Sequence, residues 1–587
     1  MAWMKLPVRL MPRANQSGAR PVEGLMPDFR DAFRALRGTP IVTLVAILSL
    51  ALGIGANTAI FSIVNSLMLR TLPVASPERL FLVNTGPEAR TSWTNPIWEQ
   101  IRDRQQVFDG ALAWASTRFN LAQGGQTEFV DGVWASGGYF DVLGVTPLLG
   151  RTFRPEDDRR GGGPDGPVAV ISYSFWQRRY GGEAGAVGRS LVIERVPYTI
   201  IGVTPPEFFG TEVGRAFEVA IPLGTEPLIR GKESGLDRRS MWWLNVMVRL
   251  KPDQPIEAAT TALRGVQPQV REATIPEHYR PQDRDRYLAE PFTLDPAARG
   301  SSMLRSRYER PLQLIMVVVG TVLLIACANI ANLLLARAAA RRHEISVRLA
   351  LGASRLRLVR QLLAESLLLS GCGALLGLLF AHWGSRLLLR QLSTATSRVF
   401  LDLALDWRVL IFTSAAAVTT ALLFGMAPAF RASRVDPNES LKEQGRGIST
   451  DRRFSIGNLL VVVQVALSLI LVVAAGLFLR TFSSLANLDL GFQREGVVVV
   501  NVNAQLLGLE PAARGRLFER VRQAALSTPG VHQASLSVVT PVSGSTWNNI
   551  FESHRPCTCR CGSRTVSRCS RRSSAWSCGR PAVPLPC

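Results

Sequence analysis

The residues whose types and spacing could carry out chemistry are few and widely separated. The only Gly-Lys pair, Gly231 and Lys232, is followed by Glu233, so no segment fits the phosphate-binding loop G-x-x-x-x-G-K-[ST]. The five histidines are scattered, and no H-E-x-x-H or G-x-S-x-G motif occurs. We therefore predict no catalytic residue, no metal site and no cofactor, and we do not expect the chain itself to hydrolyse ATP.

The cysteines are distributed very unevenly. Two lie in apolar segments, where a cysteine usually packs as a small apolar side chain, and the other six occur in the last 31 residues. Cys557, Cys559 and Cys561 alternate instead of forming the C-x-x-C pairs that zinc sites prefer. A metal site and a disulfide knot are open alternatives. The Arg, Ser, Cys and Pro composition of residues 551–587 favours an out-of-frame translation product, and we expect this tail to carry no function.

One polar stretch, HEISVRLALGAS, has a spacing that suggests a function. Glu344 and Arg348 are four residues apart and can pair along one face of a helix. Ile345 and Leu349 are one helical turn apart. Gly352 predicts the end of this short helix, because glycine readily takes the left-handed conformation found at helix C-termini. On composition alone, a solvated loop that only sets membrane topology explains the segment equally well.

The elements that flank this stretch are long and apolar. Mean hydropathy is positive, at +0.14, while the net charge is +22, a combination typical of a membrane protein with basic flanks. Five stretches without Asp, Glu, Lys or Arg approach or exceed the roughly 20 residues needed to cross a bilayer. We predict membrane spans at Gly38–Leu69, Pro311–Ala336, Ser366–Ser385, Val409–Phe430 and Phe454–Leu479.

The distribution of Lys and Arg predicts the orientation of these spans. Lys5 and six arginines precede the first span, which places the N-terminus in the cytoplasm. The loop after the second span agrees, with seven arginines against Glu344 and Glu365. Residues 70–310 then lie outside the cytoplasm, and the HEISVRLALGAS stretch lies inside.

Small and amide residues within the spans predict how the helices pack. Glycines let membrane helices approach closely, and asparagine amides need partners away from water. We expect both kinds at interfaces between helices. No ionisable residue lies at the centre of a span, which disfavours an ion-driven or proton-driven carrier. The residues concerned are Gly53, Gly55, Ala56, Asn57, Asn329 and Asn332.

The large segment at residues 70–310 is interpreted as a mixed α and β domain with two plausible subdomains. It contains no cysteine and must fold without disulfides. Runs rich in β-branched and aromatic residues predict strands, helical spacing after a proline predicts helices, and glycine and proline predict a loop. The predicted strands are Gly166–Trp176, Ser190–Val203 and Met241–Leu250, the helices Asn95–Phe108 and Pro255–Val270, and the loop Arg159–Pro167.

The first and fifth spans suggest an internal repeat. A Leu-Arg-Thr run closes both, at Leu69–Thr71 and at Leu479–Thr481. The segment Gly496–Leu509 then predicts the strand-rich start of a second outside domain. We interpret this as the beginning of a second half whose remainder is missing.

The motifs together resemble a known family. LRGTPIVTLVAILSLALGIGANTAIFSIVNSLMLRTLP, SGGYFDVLGVTPLLGRTF and VGRSLVIERVPYTIIGVTPPEF resemble the first span and periplasmic core domain of MacB-like ABC transporter permeases. The segment from Arg310 to Leu369, including HEISVRLALGAS, resembles the FtsX-like permease domain. His343 stands where arginine is usual in that family. The match is most similar to duplicated permeases without a fused ATPase and covers about Asp28 to Leu509.

The resemblance implies a fold and a division of the chain. The fold would be an α-helical membrane protein with a large extracytoplasmic α+β domain. The divisions would be a cytoplasmic segment (1–37), span 1 (38–69), a periplasmic core domain (70–310), an FtsX-like domain (311–430) with a coupling loop (337–365), a cytoplasmic linker (431–453), span 5 (454–479), the start of a second periplasmic domain (480–550) and the aberrant tail (551–587).

The resemblance also implies a function. The chain would be a permease subunit that couples ATP hydrolysis by a separate ATPase to movement of the periplasmic domain, for export or extraction of a substrate. Glu344, Ile345, Arg348, Leu349 and Gly352 would form the helix that contacts the ATPase. A periplasmic adaptor and a second permease copy are the other implied partners, in the inner or plasma membrane and without nucleic acid. A signalling scaffold that activates a periplasmic enzyme, or a nonfunctional fragment, are the alternatives.

Overall fold

The computed structural model describes residues 30–537 apart from 31, 35, 86–91, 105, 122–127, 341–354, 393–399, 402–405, 434–455, 491–495, 501, 503 and 505–508. Contacts divide the chain into two compact units, Met1–Gly508 and Leu509–Cys587. The first unit contains a bundle of long apolar helices and a domain built on a β-sheet. Among the described residues, the second unit contains one helix, Pro511–Leu526.

Long helices form where the apolar runs lack charge, and short helices form in the sheet domain. The first long apolar helix begins at Pro40, whose fixed φ suits the first helical position, and leads into a π-helical turn at Asn65–Leu69. The helices are α1 Pro40–Val64, α2 Asn95–Arg104, α3 Tyr139–Leu143, α4 Tyr173–Tyr180, α5 Glu226–Arg230, α6 Ile256–Ala273, α7 Pro281–Ala289, α8 Met303–Ala340, α9 Arg355–Leu392, α10 Trp407–Ser433, α11 Ile456–Ala486 and α12 Pro511–Leu526.

Four helical segments within the described residues are long and apolar enough to cross a membrane. They are Pro40–Leu69, Met303–Ala336, Val359–Leu389 and Asn458–Ala486. Helix α10 is apolar over Trp407–Leu423 and continues as a helix to Ser433, so its 27 residues extend about 40 Å at the usual 1.5 Å rise. The total of five spans stays a prediction, and several membrane-length helices are present.

The strands form one mixed sheet. Its order is β10-β1-β9-β2-β3-β8-β5-β7-β4, with β6 paired to β7. Only the β3–β8 and β5–β7 pairs within the described residues are parallel. The strands are β1 Leu80–Thr85, β2 Gly110–Asn120, β3 Phe129–Ala135, β4 Leu149–Gly150, β5 Val168–Ile171, β6 Ser190–Ile193, β7 Val196–Val203, β8 Val219–Pro222, β9 Asn245–Arg249 and β10 Phe292–Pro296.

The two faces of this sheet build two different apolar cores. Alternate residues of a strand point to opposite faces. In β2, Ala113 joins the core that helices α2, α4 and α6 cover, while Leu112 and Trp114 join the other core. In β9, Val248 and Met247 divide in the same way. The second core also takes in side chains from the long helices, which connects the sheet to the bundle.

The sequence predictions for this domain differ from the structure mainly in strand length. The strand predicted at Gly166–Trp176 is wrong beyond Ile171, because the Ser172 hydroxyl accepts a hydrogen bond from Phe175 N and starts α4. Ser190–Val203 is a hairpin, since Glu194 and Arg195 have positive φ and form a tight turn. The two expected subdomains are joined by one continuous sheet through the β3–β8 pair.

A buried arginine joins α6 to β10 and to α7. The Arg271 side chain is 0% exposed, and its guanidinium carbon lies 5.6, 4.5 and 4.6 Å from the ring centroids of Trp93, Tyr287 and Phe292. Its Nη2 donates to the carbonyl oxygen of Glu290 at 3.2 Å. Such a desolvated cation gains from each aromatic face that it meets.

We expect Arg271→Ala to lower the free energy of unfolding by about 3 kcal/mol, because it removes these interactions and leaves a cavity between the rings. Tryptophan fluorescence during denaturation of the purified chain measures this change. Arg284→Ala, on the exposed face of the neighbouring α7, is the matched control and should shift stability by less than about 0.5 kcal/mol. Equal effects of the two substitutions would show that the aromatic cage does not stabilise the domain.

The predicted strand at Gly496–Leu509 has no strand partner among the described residues. The side chains of Val497–Val500 are each more than half exposed. In the described sheet, the first strand, β1, pairs with β9 and β10, which come from much later in the chain. A first strand of this topology therefore has no sheet until the end of its domain is in place.

Proteolysis from the domain side should cut within Gly496–Asn549 and leave residues 70–310 intact. We interpret this segment as the start of a second domain, and such a start alone would not offset the roughly 1–2 kcal/mol per residue of backbone entropy lost on ordering. Mass spectrometry of the proteinase K fragments locates the cuts. A stable fragment that extends past Ser543 would contradict this expectation and would show that the second domain is complete in another form.

Candidate coupling site between the helix bundle and the sheet domain

The residues predicted to contact an ATPase lie outside the described residues. These are Glu344, Ile345, Arg348, Leu349 and Gly352. The structure does describe the helices on both sides of them: α8 ends at Ala340, and α9 begins at Arg355. The site can therefore be built from these two helices and from what they contact.

Helix α9 packs directly on α1 through glycines. A Cβ atom on Gly55 would lie 2.9 Å from the carbonyl oxygen of Gly377, and one on Gly377 would lie 3.0 Å from the amide nitrogen of Gly55. One turn earlier, a Cβ atom on Gly373 would lie 2.6 Å from the Cβ of Leu50. The two backbones touch, as small residues permit in membrane helices. The predicted interface role of Gly55 is thereby confirmed.

Polar contacts link α1 to two further helices. The Asn57 side-chain amide donates to the carbonyl oxygens of Gly53, at 2.8 Å, and of Val319 in α8, at 2.9 Å. The hydroxyls of Thr58 and Thr413 are 3.1 Å apart and join α1 to α10. The amide of Asn57 thus has the helix partner that its sequence context predicts. Helix α1 is the common neighbour of α8, α9 and α10.

Asn329 does not lie at an interface between the described helices of this chain, so its predicted interface role stays a prediction. Its side chain is exposed and has no hydrogen-bond partner among the described residues, while Asn332 is half-buried. Asn329 lies seven residues after the exposed Val322 and eleven after the exposed Val318, so it belongs to the outward face of α8. The sequence could show that an amide was present, but the 3.6-residue period could not show which face was inward, since both faces are apolar.

Two arginines bind the carbonyl groups at the domain-side end of α1. The Nε of Arg305, on α8, donates to the carbonyl oxygen of Leu67 at 3.0 Å, and Nη1 of Arg408, on α10, donates to that of Leu69 at 2.9 Å. Carbonyls at a helix end lack helical partners, and cations there are favoured by the helix dipole. The end of α1 is thus held by both neighbouring helices.

A carboxylate completes this arrangement. Asp406 accepts hydrogen bonds from the Asn65 side-chain amide at 3.1 Å and from Arg408 N at 2.5 Å. Partial burial raises the pKa of Asp406, but these hydrogen bonds and the nearby Arg408 and Arg70 outweigh it and lower the pKa below its ordinary value. The interaction with Asn65 is therefore present at neutral pH and weakens only as the pH falls through that lowered pKa.

The sheet domain and the bundle share one apolar core at this junction. Ile63 and Leu67 of α1 and Leu312 of α8 are buried in the same cluster as Trp114 and Met247 of the sheet. Hydrogen bonds from two backbone amides and one hydroxyl add direct links. Leu72 N donates to Ala298 O at 2.9 Å, Phe400 N to Gly214 O at 3.0 Å, and the Ser302 hydroxyl to Val213 O at 2.8 Å. The junction is packed like the interior of one domain.

The junction is a packing interface between the helix bundle and the sheet domain. The described residues contain no group of His, Cys, Asp and Glu side chains that could hold a metal ion. What the junction offers is a close glycine contact, two helix-end arginines and a continuous core. Helix α1 contacts both α8 and α9 and is packed against the sheet.

Sequence reasoning missed Arg305, Arg408 and Asp406. Each lies just beyond a predicted span, where a charged residue is ordinarily interpreted as a topology signal. The available signal was the Leu-Arg-Thr run after the first span, which marks a helix end that needs partners for its carbonyls. The sequence could not show which later residues supply them.

Comparison with protein families identifies both parts of the molecule. Residues 43–266 match the MacB-like periplasmic core domain, and residues 316–437 match the FtsX-like permease C-terminal domain. The second match spans the segment between α8 and α9 as well as most of both helices. The chain belongs to the MacB/FtsX-like family of ABC transporter permeases. As such it is a multi-pass membrane protein with a periplasmic α+β domain, as the sequence predicted.

Relatives of this permease family include exporters with fused ATP-binding parts. The chain is 25% identical over 312 residues to the macrolide export ATP-binding/permease protein MacB of Burkholderia cenocepacia (strain HI2424), which covers 52% of this chain and 40% of that protein. It is 24% identical over 316 residues to the pyoverdine export ATP-binding/permease protein PvdT of Pseudomonas syringae pv. syringae (strain B728a), covering 52% and 42%. The permease thus spans about two fifths of these relatives.

A solved structure also matches part of the permease. The periplasmic region of MacB from Actinobacillus actinomycetemcomitans aligns with 41% of this chain and 94% of that structure, at 12% identity and a TM-score of 0.27.

Proposed function

We propose that this chain couples ATP hydrolysis by a separate ABC ATPase subunit to movement of its periplasmic domain, and that this movement exports or extracts a substrate. The apolar core that α1 and α8 share with the sheet carries the proposal. This core connects the bundle to the domain. A motion that starts in the bundle would therefore be passed on to the domain. The chain itself contributes no ATP-hydrolysing site, since no G-x-x-x-x-G-K-[ST] motif is present in its sequence.

The ATPase would bind the segment between α8 and α9. Glu344, Ile345, Arg348 and Leu349 would form the contacting helix, which Gly352 ends. Helix α9 follows directly and touches α1 backbone to backbone, at Gly377 and Gly55. A displacement of this segment would thus reach α1 through α9 alone. It would reach the sheet through α9 and α1.

A second permease copy would complete the transporter. Asn329 supports this part of the proposal, because its amide lies exposed on an apolar face of α8. An amide in the hydrocarbon region needs a partner, and an asparagine offers both a donor and an acceptor. Two copies related by a two-fold axis would let the amide meet its own equivalent. A periplasmic adaptor is the remaining proposed partner.

The proposed placement is the inner or plasma membrane with a cytoplasmic N-terminus. Reporter fusions after Arg70 and after Arg480 should be active only outside the cytoplasm, and a fusion after Arg355 only inside, because Lys and Arg favour the cytoplasmic side. The activity of alkaline phosphatase fusions reports positions outside the cytoplasm, and the fluorescence of fluorescent protein fusions reports positions inside it. An active phosphatase fusion after Arg355 would contradict the five-span arrangement.

Hydrogen exchange of the complex with its ATPase tests the coupling itself. ATP with vanadate should change the exchange of junction amides at 65–72 and 298–305, because these segments join the bundle to the sheet. Helix α7 lies against the other core and is the internal control, with no expected change. If the junction exchanges equally with and without nucleotide while the ATPase stays bound, the proposed coupling is wrong.

A further inference from the structure

Every long apolar helix carries an arginine at its domain-side end. These residues are Arg70 after α1, Arg310 on α8, Arg386 on α9, Arg408 on α10 and Arg480 on α11. Leu312 and Leu389 lie against the core shared with the sheet, which fixes the domain side of α8 and α9. On α11, Leu460 packs at the opposite end of the bundle, so Arg480 lies about 30 Å further along the helix.

Three of these arginines have no protein partner among the described residues. The side chains of Arg310, Arg386 and Arg480 are exposed and make no hydrogen bond or ion pair there. Arg408 differs, since it donates to Leu69 O. Capping of α1 therefore does not account for the other three.

These three arginines lie above apolar stripes that face away from the protein. Leu314 is four residues from Arg310, and Leu477 is three residues from Arg480, so each pair shares a helix face. These leucines are 67% and 60% exposed. Arg386 is three residues from Trp383, which is 64% exposed. Tryptophan is typical of the membrane–water interface, which places Arg386 at the level of the lipid headgroups. Arg310 and Arg480 lie at the same, domain-side end of their apolar helices.

The chemistry of the guanidinium group indicates what binds there. Its planar fork matches the oxygens of a phosphate and stays charged at any physiological pH. The phosphate of a zwitterionic lipid is already neutralised within its own headgroup, whereas an anionic lipid retains its charge. We propose that Arg310, Arg386 and Arg480 bind the phosphates of anionic phospholipids at the domain-side surface of the membrane. Lipid composition would then affect how firmly the helices next to the junction are held.

Lipid titration followed by native mass spectrometry tests this proposal. The probes are phosphatidylglycerol and phosphatidylcholine added to the purified full chain. The triple variant Arg310→Gln, Arg386→Gln, Arg480→Gln should bind phosphatidylglycerol more weakly, by roughly fivefold for each arginine removed, with unchanged phosphatidylcholine binding. The matched control is Arg238→Gln, Arg284→Gln, Arg286→Gln, which removes three exposed arginines from the sheet domain and should bind both lipids as the wild type does.

Three results would overturn the proposal. One is equal phosphatidylglycerol affinity in the wild type and the first triple variant, with both eluting as the same folded species. Another is displacement of phosphatidylglycerol by an equal concentration of inorganic phosphate, which would assign the arginines to soluble anions. The third is equally weakened phosphatidylglycerol binding in the control variant, since the effect would then follow net charge alone.

Discussion

Ile345→Asp combined with Leu349→Asp should abolish co-purification of the permease with its ATPase. If the two side chains dock together into an apolar groove, each aspartate places an unpaired charge in a dry interface, which costs several kcal/mol. At about 1.4 kcal/mol per tenfold change in affinity, two such charges leave no measurable complex. Affinity capture of the tagged permease from solubilised membranes, followed by quantification of the ATPase, measures the outcome.

A matched variant separates docking from charge. Ser346→Asp with Ala350→Asp adds the same two charges one turn apart on the same segment, rotated by one residue around the helix. That variant should retain the ATPase, because its side chains would not enter the groove. Both variants should insert into the membrane in normal amounts. If the Ile345/Leu349 variant retains the ATPase, the docking role is wrong, and the segment only sets membrane topology.

Gly377→Leu should prevent the bundle from assembling. The first atom added at Gly377 already meets backbone atoms of α1, at 3.0 Å from Gly55 N and 3.2 Å from Ala51 O. Backbone cannot yield as a flexible side chain can, so a leucine must separate α1 from α9. We expect a loss beyond the usual 1–3 kcal/mol of an overpacked core. Gly377→Ala should have an intermediate effect.

Two other glycines of the same helix provide the control for this experiment. A Cβ atom on Gly371 or Gly384 would meet nothing within 4 Å. Gly371→Leu and Gly384→Leu change helix propensity and hydrophobicity as Gly377→Leu does, but without the clash. Fluorescence-detected size exclusion after heating compares the three variants. The same loss of monodisperse protein at all three positions would show that the α1–α9 interface is not decisive for assembly.

The sequence predicted those parts of the structure whose signals are local. Charge-free runs predicted the long helices, and Gly55 and Asn57 marked an interface because small and amide residues have few other uses in a membrane helix. Helix α8 begins eight residues before the predicted span, at Met303, since its first turns are polar and pack on the sheet domain. Hydropathy measures the lipid-facing length of a helix, and that length is shorter than the helix itself.

The candidate site depended on signals that are not local. Arg305 and Leu67 are 238 residues apart in the chain, and Asn65 and Asp406 are 341 apart. No periodicity or motif connects such pairs. The helix predicted to contact the ATPase stays a prediction, because those residues lie outside the described part of the chain. The position of Asn329 on the outward face of α8 likewise becomes clear only from the packing of the helices.

The pairing of β1 with β10 also bears on how the domain is made. Leu82 and its partner Asp295 are separated by about 210 residues. At a translation rate of about 5–20 residues per second, β1 waits on the order of 10–40 seconds for this partner. Its other neighbour, β9, follows about 165 residues after it, so the edge of β1 that faces β10 stays open longest. That edge is thus available for pairing with neighbouring chains until β10 has been made.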